Sequence, residues 1–233
     1  MGAAAAFFVG VSKTGVPGLG ILVVPMMVIA VGDARHSAGW LLPVLCMADV
    51  FAVWYWGSHA AASRLFSLAP WVIAGMIGGA FALALHEQQI RVLVGLIVLV
   101  MLVAYLRRRL WPPAEIVAVA PAPYGIAAGF ATTVANAAGP VMNLYLLSKR
   151  LPKEEFVATG AWFFFMVNLT KIPVYAWHGL FTRSGLVFDA MMFPPVLAGA
   201  LTGRWLIHRI PAKLFELLVV AFTVLSLWFL FRG

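Results

Sequence analysis

Residues 129–144 read GFATTVANAAGPVMNL, and the reading of this stretch decides the fold. It lies inside an apolar run over 121–148, yet it carries Thr132, Thr133, Asn136 and Asn143 and a Gly139-Pro140 pair. The run is longer than the ~20 residues that one helical crossing of a ~30 Å hydrocarbon core requires. A second stretch, GVSKTGVPGLGILVVP over 10–25, has the same character. It sits in the long run 3–31, is interrupted by Gly and Pro, and holds Ser12, Lys13 and Thr14. Membrane helices tolerate such breaks where the freed backbone is buried in protein or lines a cavity.

The membrane assignment comes from composition. Of 233 residues, 64% are hydrophobic and 10% are charged, against about 25% charged in a soluble domain. The chain is therefore an all-α, multi-pass integral membrane protein. Its net charge of +8 is no nucleic-acid signature, because the basic residues gather in the loops between apolar runs, where they set orientation and meet anionic lipid. One cysteine, Cys46, excludes an intrachain disulfide. The opening MGAAAAFFVGVSK lacks a basic n-region, so no cleaved signal peptide is expected.

Familiar catalytic patterns do not survive inspection. GVPGLG lies in an apolar run with no preceding strand, so it is not a dinucleotide fingerprint. The NLT at Asn168 falls inside a predicted span. No HExxH, nucleophile elbow or phosphate loop occurs. His36, His59, His86, His178 and His208 fall near span ends without metal-ligand spacing, and the nine tryptophans suit interfacial anchoring. Neither enzymatic activity nor a cofactor or metal is expected.

Apolar runs fall at 3–31, 39–57, 69–86, 90–106, 121–148, 155–179, 186–208 and 213–231, eight segments in all. A shift of 119 residues places Gly10 on Gly129, Thr14 on Thr133, Gly20 on Gly139 and Asp49 on Asn168. A shift of 124 places Gly75 and Gly79 on Gly199 and Gly203. The chain thus reads as two homologous repeats in one membrane domain, 1–111 and 121–233, joined by a linker at 112–120.

Charge decides whether the broken segments cross. If both cross, basic residues divide six against eight. If each is a re-entrant hairpin of two half-helices, Arg35, Arg91, Arg183 and Arg232 face ten on the other side: Arg64, Arg107, Arg108, Arg109, Lys149, Arg150, Lys153, Arg204, Arg209 and Lys213. Only the second division is a positive-inside asymmetry. It leaves three spans per half, and an odd number inverts one repeat relative to the other. Paired broken segments in inverted repeats point to a transporter's binding site near the bilayer midplane.

A half-helix starting inside the membrane presents unpaired N–H groups and partial positive charge, which suits an anion. Such ends are expected near Gly18 and near Gly139-Pro140, where Pro140 costs no hydrogen bond in a first turn. The candidate substrate-binding set is Ser12, Lys13, Thr14, Gly18 and Gly20 at the first break, with Thr132, Thr133, Asn136, Gly139 and Asn143 at the second. Lys13 reads either as a site cation or as a snorkelling residue. Lys171, followed by Tyr175 and Trp177, reads more readily as snorkelling. Asp49 suits proton coupling or a structural pair with a lysine, and Asn168 suits an interhelical hydrogen bond.

These residues resemble the sulfite exporter TauE/SafE family. The resemblance rests on Gly139-Pro140 in a broken helix, YLLS at 145–148, LPKEEFVAT at 151–159 and NLTKIPVY at 168–175, with Gly10, Gly18, Gly20 and Pro25 matching the glycine-rich opening. Val16-Pro17 and 135–138 stand where the family carries denser glycine. The resemblance implies transport of a small sulfur-containing anion, such as sulfite, sulfoacetate or another organosulfonate, with export favoured, in a bacterial inner membrane. The expected partners are that anion and the lipid bilayer, with no nucleic acid; a homo-oligomer is compatible with this plan. The rival readings are transport of another small anion or a metal cation, and a non-transport assembly factor. The breaks lack the carboxylates a cation would need.

Overall fold

The computed structural model describes residues 1–82, 86–111, 119–177 and 179–232. Most of the 112–120 linker, and His178, lie outside the described residues. Among those described, all regular structure is helical: α1 (Gly2–Thr14), α2 (Val23–Val31), α3 (Ala34–Trp56), α4 (Ala62–Ala82), α5 (Glu87–Leu110), α6 (Pro121–Ala135), α7 (Ala138–Ser148), α8 (Lys153–Trp177), α9 (Arg183–Arg209) and α10 (Ala212–Arg232). Helix is what a chain this apolar must adopt, since lipid satisfies no backbone group.

Six of these are long and apolar enough to cross a membrane: α3, α4, α5, α8, α9 and α10. The other four come as two consecutive pairs. At ~1.5 Å per residue, α1 and α6 are roughly 20 Å long and α2 and α7 roughly 15 Å, short of the ~30 Å core. The two long runs that the sequence marked as broken are therefore the two places where helices come short. One boundary differs from expectation. The run at 69–86 belongs to α4, which begins seven residues earlier, because helix continues through the polar turn holding Ser63, Arg64 and Ser67.

Helix ends follow local chemistry. Asp33 caps α3 by accepting from the His36 N–H at 2.6 Å, and Thr182 caps α9 by accepting from Gly185 N–H at 3.1 Å. His86 and Gln89 form a reciprocal cap on α5. Gly32 ends α2 at φ 81°, and Asn136 ends α6 at φ 52°, in the left-handed region that glycine and asparagine tolerate best.

The chain forms two compact units that do not follow its halves. The first comprises Met1–Ala61 with Pro152–Leu218, the second Ala62–Leu151 with Val219–Gly233. In the first unit α1 lies along α9, and α3 packs on α8 and α9. In the second α6 lies along α4, and α5 packs on α6 and α7.

Both helix pairs are held by close backbone approach. In the first unit a Cβ on Gly10 would strike the Val196 carbonyl, and one on Gly199 would strike the Phe7 carbonyl. In the second, a Cβ on Gly129 would strike the Val72 carbonyl, and one on Gly75 the Ile126 carbonyl. The shifts of 119 and 124 convert one pair of contacts into the other. Close approach of this kind is how membrane helices gain dispersion contact when burial from water offers nothing.

Candidate functional site

The first break lies in the first unit. Helix α1 stops at Thr14, the chain turns through Gly18 at φ 106°, and a single 3₁₀ turn over Leu19–Leu22 leads into α2. Ser12 Oγ accepts from the Gly20 N–H at 3.1 Å, so one donor freed by the break is already satisfied. Thr14 is 2% exposed, and its hydroxyl donates to the Ala200 carbonyl at 2.7 Å and the Gly10 carbonyl at 3.0 Å. That proton is committed to the α1–α9 seam. Trp56 Nε1 donates to the Thr14 carbonyl at 3.0 Å, satisfying an acceptor at the end of α1.

One turn back from the break lies a buried charge cluster. Lys13 Nζ is 2.7 Å from Asp49 Oδ1, and Asn168 Nδ2 donates to Asp49 Oδ2 at 2.7 Å. Both carboxylate oxygens are thus engaged, by α1 on one side and α8 on the other. Asp49 itself is 0% exposed. A carboxylate this deep survives only with a counter-charge and its lone pairs satisfied. Lys13 also sits over the Phe164 ring, 4.1 Å from its centroid. Lys171, on the same helix as Asn168, is 8% exposed.

Two sequence readings change here. Lys171 does not snorkel; it is buried within the first unit. Lys13 is held in an ion pair instead of extending to the interface. The 119-residue shift had equated Asp49 with Asn168, and these two residues touch each other.

The second break lies in the second unit. Helix α6 ends at Ala135, and Asn136 and Ala137 turn the chain into α7. The α7 N-terminus has no side-chain cap. Pro140 lies in its first turn, as expected, and a Cβ on Gly139 would meet nothing within 4 Å. Asn143 is 4% exposed and sits one turn beyond Gly139 on the same face. Thr132 is 4% exposed, while Thr133 Oγ1 donates back to the Gly129 carbonyl at 2.9 Å. The two breaks fall in different units: Ser12, Lys13, Thr14, Gly18 and Gly20 in the first, Thr132, Thr133, Asn136, Gly139 and Asn143 in the second.

Some participants escaped the sequence reading. Phe164 and Cys46 carried no signal beyond hydrophobicity. Asp189, in the second turn of α9, is 3% exposed with its Oδ1 unpaired among the described residues. It lies near the start of its apolar run, where a carboxylate reads as interfacial. The histidines lie at helix ends as expected: His36 bonds Asp33 at 2.7 Å, and His59 and His208 both stack on Trp56. Among the described residues, no group of three or more His, Cys, Asp or Glu comes together to hold a metal.

The family Sulfite exporter TauE/SafE matches this chain over residues 2–230. No curated protein and no solved structure matches it.

Proposed function

Because the chain belongs to the sulfite exporter TauE/SafE family, a family of membrane transporters for sulfur-containing anions and not of enzymes, we propose that it exports a small sulfur oxyanion or organosulfonate by alternating access. Each unit presents one broken segment, and the polar groups at the first break are the substrate contacts argued from here. The broken segments re-enter without crossing, and the two repeats are inverted. Four short helices in two pairs, the four-against-ten division of basic residues and the matched glycine contacts support that arrangement. The inner membrane of a bacterium is the expected location.

The observation that carries the reading is the buried Lys13–Asp49–Asn168 cluster beside the first break, with Lys171 buried in the same unit. Intramembrane lysines cost about 2.5–3.5 kcal/mol each on insertion scales and mark substrate paths. Ser12, whose Oγ accepts from the Gly20 N–H, keeps its own hydroxyl proton for a ligand at the break itself. Thr14 and Thr133 position the helices that carry these groups. An interior-negative potential favours anion exit by about 2.3 kcal/mol per charge per 100 mV, so export needs no coupled ion.

The test is thermal stabilisation of purified protein by sulfite, thiosulfate, sulfate, sulfoacetate, taurine and chloride, for wild type and Lys13→Ala. Ligand binding to the folded state raises the midpoint. The expected result is a shift with a sulfur anion that Lys13→Ala loses, measured against the variant's own baseline. No shift with any anion would defeat the proposal.

A further inference from the structure

Asp189 is a buried acid that the proposed anion site does not use. It lies on the buried stripe of α9, in line with Gly185, Val196, Gly199 and Gly203. It is 3% exposed, its Oδ1 has no hydrogen-bond partner, and no ion pair reaches it among the described residues. The helices packed on this stripe bring apolar groups. Phe188 and Met192, on either side of Asp189 in sequence, pack on a cluster that holds Ala5 and Ala6 of α1 and Leu41 and Val44 of α3. The Trp40 ring of α3 lies 5.2 Å from that of Phe188, and a Cβ on Gly185 would strike the Trp40 indole.

Asp49 is as deep, but it has Lys13 at 2.7 Å and Asn168 at 2.7 Å. Asp189 has neither a counter-charge nor a donor. The titratable groups of the packed helices are engaged elsewhere or apart from it. On α1 they are the Met1 amino group and Lys13. On α3 they are His36, which bonds Asp33, with Cys46, Asp49 and Tyr55, the last under Arg204. On α9 itself Arg183 begins the helix. A lone carboxylate ion in an apolar interior is too costly to keep, and such a group neutralises instead. A metal ion would need several ligands, and no group of three or more His, Cys, Asp or Glu gathers among the described residues. A proton needs one oxygen.

We propose that Asp189 is a proton-binding site: it holds a proton while α1, α3 and α9 are packed together, and releases it to water when that seam opens. Release leaves the carboxylate and needs no other reactant. Because α1 runs into the first break, the movement that frees the proton also moves the break, so transport is proton-linked. The membrane potential still drives the anion; the proton sets when the seam opens. This holds wherever the anion binds.

The experiment compares the full chain in detergent with Asp189→Asn, which has the shape and neutrality of the acid. Infrared difference spectra at neutral pH should show the carbonyl band of a protonated carboxyl in wild type and not in the variant. Above about pH 4 a free aspartate has lost its proton, so the folded chain holds one proton more than the unfolded chain, and stability falls as pH rises. Relative to Asp189→Asn, the wild-type unfolding constant should grow by up to about tenfold per pH unit. Hydrogen exchange in the first turns of α9 should quicken with pH more in wild type than in the variant, with no such difference in α4 of the second unit. Absence of the band, or parallel stability profiles, overturns the proton site. A band without the α9 exchange difference overturns its link to opening. Should Asp189→Asn not fold, Asp189→Glu replaces it and should shift the band; an unshifted band, or none in wild type, refutes the proposal.

Discussion

Gly199→Ala tests the α1–α9 seam, because the clash it creates is with backbone. The new Cβ would strike the Phe7 carbonyl oxygen, with the Phe7 carbonyl carbon at 2.9 Å and Cα at 3.1 Å. No rotamer change relieves this, so α1 must move away from α9. Overpacking of this kind costs about 1–3 kcal/mol, and a backbone clash belongs at the upper end. Displacing α1 also stretches the Thr14–Ala200 bond, now 2.7 Å, a further loss of about 0.5–1.5 kcal/mol. Replacing a helical glycine by alanine returns about 1 kcal/mol. The net destabilisation is roughly 2–3 kcal/mol, which for a chain of this length lowers the melting temperature by roughly 4–12 °C. Size-exclusion thermostability in detergent measures it. The control is Gly78→Ala in α4, where a Cβ meets nothing within 4 Å; it should be neutral or stabilising by up to about 1 kcal/mol. If Gly199→Ala melts no lower than Gly78→Ala, the seam is not held by close approach and the reasoning fails.

Three further outcomes follow from the same geometry. Lys13→Ala strands the Asp49 carboxylate and should cost about 3–5 kcal/mol; a melting temperature within a degree of wild type would show that the ion pair is not formed in the membrane protein. Asn168→Ala leaves Asp49 Oδ2 without its donor and should cost about 1–3 kcal/mol, a loss visible as earlier unfolding in chemical denaturation. Lys153 Nζ donates to the Ile207 and Ile210 carbonyls at 2.6 and 2.7 Å, closing the end of α9. Lys153→Met should therefore cost about 1–3 kcal/mol and speed hydrogen exchange at the last turn of α9; unchanged exchange there would count against the cap.

Much of this was legible in the sequence because membranes simplify the code. Apolar length alone located the six long helices, and Gly and Pro in over-long runs located the two breaks. Gly10, Gly75, Gly129 and Gly199, which the two shifts matched as repeat positions, each press on a carbonyl. The charge cluster was only half legible. Sequence ranks Lys13, Asp49 and Lys171 as unusual, but their meeting depends on α1, α3 and α8 converging, which no local pattern encodes. Lys171 misled because Tyr175 and Trp177 follow it. Trp177 is indeed 90% exposed, but Lys171, about 9 Å further along the helix, is 8% exposed and packed inside the first unit. Thr14 and Thr133 misled for another reason: a hydroxyl in a membrane helix that reaches a backbone carbonyl is satisfied there and has no proton left for a ligand.

The division of the chain into units drawn from both halves bears on how the protein is made. Gly10 on α1 finds its seam only when Gly199 exists, so ~190 residues must be synthesised between them. At 5–20 residues per second this is an interval of roughly 10–40 s. For most of it the first unit lacks α8 and α9, and until Asn168 is made Asp49 has Lys13 alone. Helices α1 to α3 must wait in the bilayer without the two helices that complete their unit, and insertion and folding are consequently separate events in time.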